Sequence, residues 1–175
     1  MKKDIQFWRY SIPPTDSVEG WGIFLLDSTG MFAAVTDYGN YAFKWTHHGC
    51  KDFREFVIKA HKSYDYILGK LISKVYSGKK TINHIKRHIL EYRWERSYSK
   101  KFARKEWDLI KEIDDMDNVI GFKEWYDSTH IEDAAEFYGE DWTPCAKAFA
   151  KKLMPRLAEV LKAELAKEAI IQEAS

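Results

Sequence analysis

The sequence predicts an α+β fold, an N-terminal antiparallel β-meander of three or four strands followed by a helical bundle packed on it. Three observations predict it. Over residues 1–49, large apolar side chains alternate with small or polar ones between clusters of turn formers. From Cys50 onward, apolar residues recur every three or four positions, the helical period. Aromatics make up 15% of the 175 residues, which supplies enough large side chains for a core at this length. One domain is expected over residues 1–175, mainly β over 1–49 and mainly α over 50–175.

The strands come first. A strand around Ile5–Ser11 is ended by Pro13-Pro14, because proline cannot donate to a ladder. Trp21-Gly22-Ile23-Phe24-Leu25-Leu26 is a short β-forming run, and Asp27-Ser28-Thr29-Gly30 turns the chain. Met31 to Thr36 is the next strand, followed by a second turn at Asp37-Tyr38-Gly39-Asn40. Tyr41, Phe43 and Trp45 then share one face of a further strand.

The helices follow. Phe53, Phe56, Val57 and Ala60 fall at helix spacing behind Asp52, a capping residue. Ser63 is positioned to cap a helix over Tyr64–Tyr76, with Ile67, Leu68, Leu71, Ile72 and Val75 as its stripe and Ser77-Gly78 as its end. Thr81 opens a long helix through Arg96, with Ile82, Ile85, Ile89 and Tyr92 inward, and Ser99 or Lys100 starts another with Phe102, Trp107, Ile110 and Ile113 inward. Thr129-His130-Ile131-Glu132 has capping-box spacing and predicts a short helix over Ile131–Tyr138. Thr143-Pro144 opens a last helix, which Pro155 kinks or splits and Arg156–Gln172 continues.

The net charge of +1 conceals a sharp division. Residues 44–105 carry 17 Lys/Arg against 5 Asp/Glu, whereas residues 106–141 carry 2 against 13. Adjacent blocks of +12 and −11 are not an evenly mixed solvated surface. They either pair with each other inside the fold or offer two docking surfaces.

The basic candidates are Lys79, Lys80, Lys86, Arg87, Arg93, Arg96, Lys100, Lys101, Arg104 and Lys105, interleaved with Tyr92, Trp94, Tyr98 and Phe102. Cations displace counterions from a nucleic-acid backbone and rings stack on unpaired bases, so this pattern suits such a ligand. The plain alternative is a solvated helical hairpin. The acidic candidates are Asp114, Asp115, Asp117, Glu132, Asp133 and Glu136. Asp114-Asp115-Met116-Asp117 lacks the glycine and distal Glu of a calcium loop.

Weak metal-ligand candidates are His47, His48 and Cys50, near Asp52 at a strand-to-helix junction, and His84 and His88 on one helix face with Glu91. A second paired cluster that would complete a structural zinc site is absent, and Ile85 stands where a two-His zinc protease needs Glu. No cofactor is expected, because phosphate-cradling glycine motifs and nucleophile elbows are missing. No apolar run is long enough to cross a membrane, and no secretory signal is read at the basic start. Cys50 and Cys145, far apart and outside any paired motif, predict free thiols in a reducing cytosol.

Trp21-Gly22, Gly30-Met31-Phe32, Asp37-Tyr38-Gly39-Asn40-Tyr41, Trp45-Thr46-His47-His48-Gly49 and Lys51-Asp52-Phe53-Arg54-Glu55-Phe56 together resemble small uncharacterised accessory proteins encoded in bacteriophages and prophages. The likeness continues through Ala103-Arg104-Lys105-Glu106-Trp107-Asp108-Leu109 and Glu124-Trp125-Tyr126. It implies a phage origin and action in the bacterial cytoplasm, and brings no catalytic residues with it. Three functions remain open. The first is a non-enzymatic protein that binds a host or phage protein complex through its charged surfaces, such as an inhibitor of a bacterial defence complex. The second is nucleic-acid binding by the basic helices of residues 79–105. The third is a small metal- or thiol-dependent enzyme centred on residues 47–52.

Overall fold

The computed structural model describes residues 4–15 and 18–173, so the basic start at Met1-Lys2-Lys3 lies outside the described residues. The fold is α+β, with a four-stranded antiparallel sheet leading into helices. Two compact units form, one from the chain up to Ser73 together with Trp142 onward, the other from Lys74–Asp141. Each has its own hydrophobic core.

In the first unit the strands are β1 (Phe7–Ile12), β2 (Gly22–Asp27), β3 (Met31–Thr36) and β4 (Gly39–Lys44), paired in sequence order. The turns form where the sequence places them, with Gly30 at φ +93° and Gly39 at φ +119°, conformations an L side chain resists. Asp27 accepts from the amides of Thr29 and Met31 and from the Thr29 hydroxyl, which locks the first turn. Alternation buries Tyr10, Ile12, Phe24, Leu26, Phe32, Ala34 and Tyr41 on one face.

The cover for that face comes from α1 (Phe53–Ala60), α2 (Tyr64–Leu71) and a long C-terminal helical run. Phe149 stacks on Tyr41 at 4.1 Å and on Phe24 at 6.3 Å between ring centroids. Leu153 approaches Gly22 so closely that a β-carbon there would stand 2.9 Å from its methyl. Asp52 caps α1, accepting from the Arg54 amide at 2.7 Å. Arg54 itself is buried, spans Asp52 and Glu168 at 2.7 Å each, and lies over the Trp8 ring. Its carboxylate partners keep some solvent contact, so the buried cation is compensated while they stay partly hydrated.

The helix expected over Tyr64–Tyr76 is shorter. It stops at Leu71, and Ile72 is extended at φ −156°, ψ 155°. Ile72 and Val75 have no core to enter and stay exposed, so the second half of the predicted stripe gains nothing from helix formation. Val75 and Tyr76 instead form β5 (Val75–Tyr76), paired with β6 (Glu140–Asp141) within the second unit.

That unit contains α3 (Gly78–Trp94), α4 (Lys100–Glu112) and α5 (Val119–Ser128), with a 3₁₀ turn at Ala134–Phe137. Ser77, not Thr81, caps α3. Thr81 is buried one turn later, where its hydroxyl accepts from the Gly139 amide at 2.9 Å. Ser99 caps α4. Tyr92, expected inward, is 40% exposed, while Ile85 and Ile89 reach the core. The helix expected over Ile131–Tyr138 shrinks to the 3₁₀ turn. Thr129 donates to Glu106 at 2.6 Å instead of forming a capping box with Glu132, and Asp133 adopts φ +53°.

The C-terminal run is α6 (Pro144–Ala148), a π turn at Phe149–Leu153 and α7 (Met154–Glu173). Thr143 caps α6 as its sequence predicts. The widened turn immediately precedes Pro155, whose missing N–H and bulky ring disrupt regular bonding to the previous turn.

Gly78 tests the second unit. A β-carbon at this position would collide with the Met116 carbonyl and lie 2.7 Å from the Asp117 carboxylate. Glycine to alanine normally strengthens a helix by about 1 kcal/mol. Gly78→Ala is expected to reverse that sign and lower the urea midpoint of the chain. An unchanged or raised midpoint contradicts the packing.

Candidate functional site: the α3–α4 hairpin

The charged face of α3 and α4 follows from helix periodicity. Positions 81, 85 and 89 of α3 and 103, 106 and 110 of α4 turn inward, which leaves Lys79, Lys80, Arg87, Arg93, Lys100, Lys101, Arg104 and Lys105 exposed. Arg96 joins them in the connecting turn at φ +62°. Lys86 is half-buried, its ammonium 5.4 Å from the Trp107 ring.

The acidic block does not cancel this surface. Lys80 pairs with Asp141 at 3.3 Å, and Arg104 pairs with Asp108 one turn along α4 at 2.7 Å. Among the described residues, Lys79, Arg87, Arg93, Arg96, Lys100 and Lys101 form no ion pair. Asp115 accepts from the Asn118 side chain in the turn before α5, while Asp114 and Asp117 are exposed. Glu132, Asp133 and Glu136 line a different recess.

An apolar groove of about 270 Å³ runs along the hairpin, with Ile89, Leu90, Ala103 and Trp107 as walls and Arg93, Lys100 and Arg104 among its lining residues. Leu90 is 59% exposed and Trp94 89% exposed, high for such side chains. The basic residues were legible in sequence. The groove was not, since it is lined by residues of both α3 and α4 and depends on how the two helices pack.

One acid in the block takes an internal role. Glu106 is fully buried and accepts from the Thr129 hydroxyl at 2.6 Å and the His130 amide at 3.3 Å. Composition alone counted it with the surface carboxylates.

The weak metal candidates disperse. The His48 ring packs on Phe53 and Phe56, His47 contacts Thr46, and Cys50 contacts the Lys59 ammonium at 3.5 Å. His84 is exposed on α3, and His88 is bonded through Nε2 to the Tyr98 hydroxyl at 2.9 Å. Among the described residues no three His, Cys, Asp or Glu side chains gather in a way that could hold a metal ion. Both cysteines are free thiols, and among the described residues no helix is long and apolar enough to cross a membrane.

A separate exposed feature had gone unread. The outer face of the sheet presents Phe7, Leu25, Met31 and Val35, with a shallow depression over Ala33 and Ala42. Its signal was the run of apolar residues in β2 and β3, where strict alternation would have placed polar ones.

The chain is an α+β protein whose inserted helical unit carries a hairpin with exposed cations. Residues 3–163 match the Phage_phiTE_072 phage family, and the chain belongs to that family. This bears out the resemblance to phage-encoded proteins. No curated protein and no solved structure matches the chain.

Burial holds the His88 imidazole below its usual pKa, and Glu91 opposes that shift. The unfolded chain therefore takes up a proton that folded His88 resists. The His88 contribution to stability is intact above the ordinary imidazole range and declines as pH falls through it toward the lowered folded value. Melting between about pH 7 and pH 5.5 is expected to show this decline, and His88→Gln is expected to remove part of it. An identical pH dependence in the variant contradicts the burial of a neutral ring.

Proposed function

We propose that the chain is a non-enzymatic phage accessory protein that docks on an acidic surface of a host or phage protein complex through the α3–α4 hairpin. One observation carries this reading. Six exposed cations of the hairpin lack ion pairs among the described residues, and two of them, Arg93 and Lys100, line an apolar groove with exposed Leu90, close in sequence to exposed Trp94. Unpaired cations speed encounter with an acidic partner and select its orientation, while a desolvated apolar contact supplies affinity. Tryptophan and arginine are the side chains most often found to carry such contacts. A bacterial defence complex is one target that fits a phage setting, with inhibition arising from occupation of its acidic surface.

Trp94 supports a second reading. An almost fully exposed ring among Arg93, Arg96 and Lys100 suits stacking on an unpaired base, with the phosphates held by the cations. The enzyme reading gains no comparable support, because His47, His48 and Cys50 have separate neighbours.

The triple variant Arg87→Glu, Arg93→Glu, Lys101→Glu separates these readings. Immobilised wild-type chain is expected to retain an acidic protein from infected-cell lysate and release it as salt rises. The variant is expected to lose that protein, and neither chain should hold oligothymidylate. Retention of the protein by the variant removes the hairpin as the docking surface. Tight, steeply salt-dependent oligothymidylate binding that is lost in Trp94→Ala replaces the first reading with the second.

A further inference from the structure

A recess in Lys74–Asp141 is lined by other residues than the basic groove. Its volume is about 710 Å³, within the range of small-ligand sites. Its rings come from α3, the start of α4 and the 3₁₀ turn. His88 lies 4.1 Å from Tyr92 and 4.9 Å from Phe137 between centroids, and Tyr98 lies 5.0 Å from Tyr92 and 4.6 Å from Phe102. Glu132, Asp133 and Glu136 complete the lining. All three are exposed and make no ion pair among the described residues.

We propose that this recess is a binding site for an organic cation, an ammonium or guanidinium group carried on an alkyl chain. Aromatic faces attract such a group through their quadrupole, and four of the five rings here are partly buried. The three carboxylates add charge of the right sign and repel anions. Burial lowers the His88 pKa, which disfavours a charged ring beside a bound cation. The Tyr98 hydroxyl bonded to His88 holds one wall in place. Lys105 stands 3.4 Å from the His130 ring and offsets the acids on that side. The Ser97 hydroxyl, also in the lining, can accept from a ligand N–H. A bare metal ion suits the recess less well, because its acids do not form a ligand cluster.

The same chemistry has two sources, a free polyamine or a lysine or arginine side chain of a protein. Neither depends on the basic groove of the proposed function. Spermidine, N-acetyl-arginine amide and a short arginine-containing peptide are the probes, with binding read from NMR shifts of the chain. Saturable shifts are expected at His88, Tyr92 and Phe137. The double variant Glu132→Gln, Glu136→Gln and the single variant Tyr92→Leu are each expected to weaken binding by about tenfold. Both alter exposed side chains, and their melts report whether the fold persists. The variant Asp114→Asn, Asp115→Asn, Asp117→Asn controls for non-specific attraction to acids and should bind like wild type. Tighter spermidine binding identifies the free amine as the source, and tighter peptide binding identifies the side chain. The proposal is overturned if none of the probes gives saturable shifts. It is equally overturned if the Asp variant weakens binding as much as the Glu variant, or if Tyr92→Leu folds and binds like wild type.

Discussion

The helical unit turns on one buried carboxylate. Glu106 sits in α4 between the cations of its first turn and the acids beyond it, yet it faces inward and is fully buried. It accepts from the Thr129 hydroxyl and the His130 amide, and so ties the segment after α5 to the middle of α4. A buried carboxylate needs such donors, because an unpartnered one would be too costly to retain. With the tie in place, Ile131 and Ala134 reach the core while Glu132, Asp133 and Glu136 stay outward. The hairpin cations therefore keep their charge exposed.

This arrangement answers the question posed by the divided sequence. The acidic block, −11 over residues 106–141, shares one unit with the larger part of the basic block, +9 over residues 74–105, so the two could either pair or stay apart. Helix geometry works against pairing. The bond between Arg104 and Asp108 joins residues one turn apart on α4 and gathers few acids to the cations. Such exposed pairs contribute little to stability, so the charge pattern adds little to folding. The unit offers a cationic groove and, separately, an aromatic recess lined with acids.

Much of the sheet was legible in sequence. Met31–Thr36 has the bounds read from its residues, and Asp52, Ser99 and Thr143 cap where their side chains predict. Those features depend on local periodicity and short-range bonds. The errors fall where a distant partner decides the outcome. Ile72 and Val75 fit a helical stripe, but β6 takes the latter into a ladder some sixty residues away in sequence. Thr129 has capping chemistry, but Glu106 claims its hydroxyl. Helix α5 went unread because Val119 and Ile120 are exposed and only Phe122 and Trp125 carry its buried face. The candidate site was half legible, since the list of cations follows from composition whereas the groove and the ring-lined recess follow from packing.

The central claim is that the hairpin face touches the partner directly. Photo-crosslinking amino acids placed singly at positions 90, 94 and 101, with position 35 on the outer sheet face as comparison, test it in phage-infected cells. The account predicts that all three hairpin positions crosslink the same acidic protein and that position 35 does not. Crosslinks confined to position 35, or different products from each hairpin position, would contradict it.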